Sequence, residues 1–173
     1  MKKLNILLLN PPFDQIVIRD YYCSKTSRTN YIYPPLDLLM QSGWLGKENN
    51  LFLIDAIVDK LNYEQTINRI KQFDIDAILF ITGSVSYKKD FEFIKKVREI
   101  ISLKNRNIKI IGSGDIFMER GIERLQENDF IDAIALDFTN RDILNYLNGN
   151  YENIENMVFR RNGKFEFINL PRK

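Results

Sequence analysis

Ala77-Ile78-Leu79-Phe80-Ile81-Thr82-Gly83 is an apolar run closed by a threonine and a glycine, and the apolar positions Phe91, Ile94, Val97 and Ile101 follow it at three- and four-residue steps. A short run without alternation suits a strand buried on both faces, and the stripe behind it suits a helix docked on that strand. The same unit recurs outward in both directions. Asn5 to Leu9 ends in Asn10-Pro11-Pro12, Leu51 to Ile54 ends at Asp55, Ile108 to Ile111 ends in Gly112-Ser113-Gly114, and Ile131 to Leu136 is a fifth run. Between the runs lie helical stripes: Leu36, Leu39, Met40 and Trp44; Ile67 and Ile70 behind a capping box of Asn62 and Gln65; Ile122 and Leu125; Ile143 and Leu147. Each stripe is read as a core-facing surface. Strands separated by single helices predict right-handed parallel crossovers, hence an α/β three-layer open parallel sheet of about five strands, flavodoxin-like or Rossmann-like. Asn156 to Arg160 and Lys164 to Ile168 flank Arg161-Asn162-Gly163, an Asn-Gly turn that predicts a C-terminal β-hairpin. The expected division is residues 1–150 as the α/β domain and residues 151–173 as hairpin and linker.

Composition narrows the chemistry. The chain has 173 residues, with 25 Lys and Arg against 23 Asp and Glu, a net charge of +2. That balance argues against a nucleic-acid partner bound through overall charge. There is no histidine, so histidine triads and histidine metal sites are excluded. The single cysteine, Cys23, makes neither an internal disulfide nor an iron–sulfur site, predicts no disulfide-linked partner, and is assigned no function. Low cysteine usage fits a reducing cytoplasm. No stretch approaches the roughly 18 to 20 apolar residues of a membrane span, so no membrane partner is expected.

In an open parallel sheet, ligands sit beyond the carboxyl ends of the strands, near the point where strand order reverses. The long loop Pro11 to Pro34 lies there and carries Phe13, Tyr21, Tyr22, Tyr31 and Tyr33. It reads as a lid over a flat ligand, a partner surface, or a loop packed on its own domain. Thr82-Gly83-Ser84-Val85-Ser86 and Gly112-Ser113-Gly114-Asp115 place small residues at two adjacent strand ends, which predicts a groove. Ser84 or Ser86 could equally cap the helix that follows. A Gly-x-Gly-x-x-Gly fingerprint is absent after the first strand, where Pro11 and Pro12 remove amide donors. A Walker loop is absent too. Asp55, Asp115 and Asp137 end strands, where carboxylates often cap, and no catalytic residue is assigned.

The order of landmarks resembles one family. Ile6 to Phe13, Tyr33-Pro34-Pro35-Leu36-Asp37, Leu53-Ile54-Asp55-Ala56, Phe73-Asp74-Ile75-Asp76-Ala77, Ile110 to Gly114 and Phe159-Arg160-Arg161-Asn162-Gly163-Lys164 follow in sequence. This resembles the N-terminal cobalamin-binding domain of cobalamin-dependent radical S-adenosylmethionine enzymes. In that family cobalt takes a methyl group from S-adenosylmethionine and hands it to a substrate. The resemblance implies cobalamin on the carboxyl edge, with its nucleotide tail between the third- and fourth-strand loops. Thr82, Gly83, Ser84 and Ser86 would line one side of the tail, and Gly112, Ser113 and Gly114 the other. Asn10, Pro11 and Pro12 would approach the corrin face, with Leu136 and Asp137 at the groove edge. Without histidine, cobalt would have no such ligand, as is common in that family. Gly112-Ser113-Gly114-Asp115 stands where the family commonly has Gly-Gly-Pro-His, and Leu136-Asp137-Phe138-Thr139 where it has Gly-Glu-Gly-Glu.

The family's iron–sulfur cluster needs Cys-x-x-x-Cys-x-x-Cys, which one cysteine does not supply. The resemblance therefore implies a partner catalytic domain holding the cluster and S-adenosylmethionine, in cis if the chain is an excised piece and in trans if it stands alone. Two other readings are a degenerate domain that docks or regulates, and a flavin or nucleotide binder.

Overall fold

The structure is a computed structural model describing residues 3–21, 24–28, 31–103 and 107–170. Tyr22 and Cys23 fall outside those residues. The strands are β1 (Asn5–Asn10), β2 (Val17–Ile18), β3 (Lys25–Thr26), β4 (Asn50–Asp55), β5 (Ala77–Ile81), β6 (Lys109–Ser113), β7 (Ala133–Ala135), β8 (Asn156–Arg161) and β9 (Lys164–Asn169). The α-helices are α1 (Leu36–Leu45), α2 (Tyr63–Ile70), α3 (Tyr87–Ser102), α4 (Gly121–Glu127) and α5 (Asp142–Leu147). Among the described residues, seven strands form one sheet in the order β4-β1-β5-β6-β7-β8-β9.

The first five of these are parallel, in the flavodoxin-like order second-first-third-fourth-fifth. β8 and β9 add antiparallel, so the hairpin extends the same sheet. Asn162 and Gly163 take positive φ angles of 51° and 74° at its turn, as an Asn-Gly turn requires. The fifth run forms a shorter strand than expected: only Ala133 to Ala135 pair.

Alternation along β5 shows why the run is apolar throughout. Ala77, Leu79 and Ile81 join the core beneath α1 and α5, whereas Ile78 and Phe80 join the core beneath α2, α3 and α4. Both faces are covered, so both must be apolar. Phe80 and Phe93 are fully buried, each contributing about 1.5–3 kcal/mol. The α3 stripe Phe91, Ile94, Val97 and Ile101 is buried as expected, and the α2 capping box forms, with Gln65 N donating to Asn62 Oδ1 at 2.9 Å.

α1 differs from expectation. Leu36, Leu39 and Met40 are exposed, and the helix buries Asp37, Leu38, Gln41 and Leu45 instead. The helix carries apolar residues nearly all round, so spacing alone does not choose its inner face. Gln41 chooses it, with Nε2 donating to the Phe138 carbonyl at 2.6 Å and the Asn140 carbonyl at 3.0 Å.

Candidate functional site

Strand order reverses between β1 and β5, and Asn10 and Thr82 stand at their carboxyl ends. Above them, described residues of the loop Pro11 to Pro34 form a small antiparallel pair of β2 and β3, with Ser27 N donating to the Ile16 carbonyl at 2.8 Å. Alternation sets its faces. Val17, Arg19 and Tyr21 are buried against the sheet, while Ile18 and Asp20 line an outer cleft of about 550 Å³ with Lys25, Tyr31 and Tyr33. The described residues of this lid-like loop pack on their own domain.

Arg19, which is not among the expected site residues, fills the reversal point with its guanidinium. Nη1 donates to Asn10 Oδ1 at 2.8 Å and to the Pro11 carbonyl at 3.0 Å. Nε donates to Ser86 Oγ at 3.1 Å and Asp90 Oδ2 at 3.0 Å, and Nη2 to Asp90 Oδ1 at 2.6 Å. Both side chains of this ion pair are 0% exposed. Asp90 Oδ2 also accepts from Thr82 Oγ1 at 2.7 Å and Ser86 Oγ at 2.6 Å. Asn10 is oriented from behind, its Nδ2 donating to Asp55 Oδ1 at 2.9 Å. Burial raises the Asp55 carboxyl above its usual range. The neighbouring Ile57 and Val58 amides also donate to Asp55 Oδ1, so it caps a turn. Ser86 begins α3 but makes no side-chain cap; its hydroxyl serves Asp90 instead.

Where a groove is expected between the β5 and β6 loops, the glycines lie directly against other atoms of the chain. A Cβ on Gly83 would lie 2.3 Å from Ser24 Cβ; one on Gly112 would lie 2.8 Å from the Phe117 ring; one on Gly114 would lie 1.9 Å from the Thr82 carbonyl oxygen. The glycines do permit close approach, but what approaches is protein. Asp115 fastens the two loops and the lid together. Its Oδ1 accepts from Ser84 N at 2.8 Å, and its Oδ2 from Ser84 Oγ at 3.1 Å and Ser24 Oγ at 2.9 Å. Ser113 is the exception: its hydroxyl is buried with no hydrogen-bond partner.

At the far side, Tyr21 donates its hydroxyl to the Leu136 carbonyl and packs edge-on against Phe138, centroids 5.1 Å apart. Asp137 Oδ1 accepts from Thr139 N at 2.8 Å and Thr139 Oγ1 at 2.7 Å, a local turn. Asp37, at the start of α1, takes the Tyr21 backbone N–H on its carboxyl; burial, with Asp20 and Asp115 nearby, pushes that carboxyl up from 3.8 to about 7. Pro12 lines a second cleft of about 330 Å³ with Phe13, Ala56, Lys60 and Tyr63, to one side of the reversal point. Of the expected site residues, Asn10, Pro11, Thr82 and Ser86 thus meet around Arg19 and Asp90. Gly83, Ser84, Gly112 and Gly114 meet Ser24, Asp115, Phe117 and Thr82. Leu136 lies under Tyr21. No group of three or more potential metal-ligating side chains occurs among the described residues, and none of their helices is long and apolar enough to cross a membrane.

No protein-family model matches the chain, and no curated protein matches it significantly. Three solved structures of the cobalamin-dependent S-adenosylmethionine radical enzyme OxsB do match its fold. The form with aqua-cobalamin and S-adenosylmethionine bound superposes with a TM-score of 0.72 at 13% identity, over 99% of this chain and 23% of that one. The aqua-cobalamin form gives 0.69 at 14% identity over 99% and 23%. The apo, selenomethionine-labelled form gives 0.66 at 13% over 98% and 22%. At such identity the likeness is one of fold, and this chain spans less than a quarter of the length of its neighbours. Its sheet, crossovers and terminal hairpin together reproduce the fold of one segment of a cobalamin-dependent radical S-adenosylmethionine enzyme.

Proposed function

We propose that the chain is a cobalamin-binding module that works with a radical S-adenosylmethionine catalytic domain, in cis or in trans. The observation that carries this reading is the fold match over 99% of the chain to a protein with aqua-cobalamin bound. The buried, unpartnered Ser113 hydroxyl at the end of β6 supports it, because an orphaned donor invites a ligand atom. Ser24, Asp115 and Phe117 lie directly against the glycines named for the nucleotide tail. When bound, cobalamin supplies the methyl-transfer or radical chemistry; this chain's residues supply position and environment, with no histidine to ligate cobalt. The iron–sulfur cluster and S-adenosylmethionine belong, on this reading, to the catalytic domain.

The test is to mix the purified chain with hydroxocobalamin, desalt, and read the visible spectrum. Retention above that of Ser84→Tyr, which places a ring at the exposed end of the β5 loop, supports the reading. The close packing against those glycines favours a second reading, a docking module that keeps the fold and binds no corrin. If Arg19→Ala, which frees the lid, also retains no more cobalamin than Ser84→Tyr, the second reading stands.

A further inference from the structure

Asparagine followed by glycine occurs twice in the chain, at Asn148-Gly149 and at Asn162-Gly163. Such a pair is chemically labile, because glycine carries no side chain to shield its amide nitrogen, and that nitrogen can close a ring on the asparagine Cγ. The fold treats the two pairs differently. Gly149 N donates to the Tyr146 carbonyl at 3.1 Å, Asn150 N to the Asn145 carbonyl at 2.9 Å, and Asn148 Nδ2 to Glu48 Oε2 at 3.2 Å. The attacking nitrogen and the amide it would attack are both held. At the tip of the β8–β9 hairpin neither is. Asn162 and Gly163 are exposed, and no hydrogen bond among the described residues ties down the Gly163 N–H or the Asn162 side-chain amide. One restraint remains. The left-handed backbone at Asn162, with φ of 51°, turns the Gly163 nitrogen away from Cγ, so ring closure waits on local opening of the turn. β8 is paired on both sides and β9 on one, so the tip opens without disturbing the parallel strands.

We propose that Asn162 is a site of spontaneous deamidation, reached by opening of the hairpin turn, and that Asn148 is spared. The Gly163 nitrogen bonds to Asn162 Cγ, the Cγ–Nδ2 bond breaks, and Nδ2 leaves as ammonia with the proton that the Gly163 amide gives up. Water then opens the succinimide at one of its two carbonyls and leaves aspartate or isoaspartate; nothing is oxidised or reduced. Either product sets a carboxylate between Arg161 and Lys164. Isoaspartate also adds a backbone carbon to a two-residue turn, which breaks the Arg161–Lys164 pairing that closes the hairpin. The reaction is therefore a one-way release of β9, the outermost strand, and it is independent of cobalamin.

Ageing the purified chain in mildly alkaline buffer, with peptide mass mapping at intervals, tests it. Asn162 is expected to gain about 1 Da. Asn148 is expected to convert at least about tenfold more slowly, the factor that breaking its extra hydrogen bonds imposes. In the converted fraction, hydrogen exchange of β9, residues 164–169, should quicken while that of β5 and β6 stays unmoved. Phe165→Ala removes the ring that Arg160 covers at 5.4 Å and pairs with across the strands. It should quicken conversion of Asn162 by up to about fivefold, the worth of a cross-strand pair. Three results overturn the proposal: an Asn162 still intact long after a free peptide of residues 159–166 has fully converted, equal rates at Asn148 and Asn162, or a Phe165→Ala rate no faster than that of the native chain.

Discussion

Ser24 Cβ lies 2.3 Å from the position a side-chain carbon would take on Gly83, so the lid is seated in the notch that a missing methyl leaves at the end of β5. Adding that methyl pits lid against loop. Gly83→Ala is expected to unseat Ser24 and to cost about 1–3 kcal/mol, the range for overpacking. Hydrogen exchange of residues 24–28 should quicken while that of β1 and β5 stays slow. Unchanged exchange in the lid would mean that Ser24 is not its anchor.

Gly114 has no such escape. Its φ is +135°, and a Cβ there would strike the Thr82 carbonyl at 1.9 Å, backbone against backbone. Gly114→Ala combines strain of about 1–3 kcal/mol with that collision. It should lower the denaturation midpoint more than Gly83→Ala does, and a smaller loss would contradict the packing described.

The Arg19–Asp90 pair predicts strong non-additivity. Asp90→Ala leaves a buried guanidinium without its counter-charge and should cost about 3–5 kcal/mol. Arg19→Met/Asp90→Leu removes both charges and should come closer to the native stability than either single change. Thr82→Val takes one of three donors from Asp90 Oδ2 and should cost about 1 kcal/mol. Denaturant melts of Arg19→Met, Asp90→Leu and the double variant beside the native chain give the cycle.

Asp37 makes stability depend on pH. Its carboxyl is raised from 3.8 to about 7 by burial first, then by Asp20 and Asp115. The folded chain therefore holds a proton there that the unfolded chain has shed, and stability falls as pH rises from about 4 to about 7. Oδ2 is buried without a hydrogen-bond partner, which fits a neutral acid better than an anion. Asp37→Asn keeps an acceptor for the Tyr21 amide and removes the ionisation. It should flatten this fall and leave the chain more stable than native above pH 7. Thermal melts across that range check the sign.

The sheet was legible because the runs of β1, β5 and β6 are apolar on both faces, and only two covered faces demand that. The helix stripes on α2 and α3 were legible because their polar sides are unambiguous. α1 was not: Leu36, Leu38, Leu39, Met40 and Leu45 leave no polar side, and Gln41 took the inner face through carbonyls almost 100 residues away in the chain. The glycines of the β5 and β6 loops were legible as points of close approach, but not what approaches, because Ser24 and Phe117 reach them through tertiary packing. Arg19 was illegible as a site residue. One arginine in an aromatic-rich loop has no periodic signature beyond the alternation of buried Val17, Arg19 and Tyr21 with less buried neighbours at and just after β2.

The seated lid also sets how tightly anything else can hold this edge. Its buried ion pair, the Tyr21 ring and the Ser24 clasp keep the uncovered population small, and a guest that needs the uncovered form sees its apparent dissociation constant multiplied by the inverse of that fraction. Every about 1.4 kcal/mol of lid seating thus weakens the guest tenfold. A neighbouring polypeptide that grips the outer side of the hairpin and peels it back would recover that affinity without touching the guest.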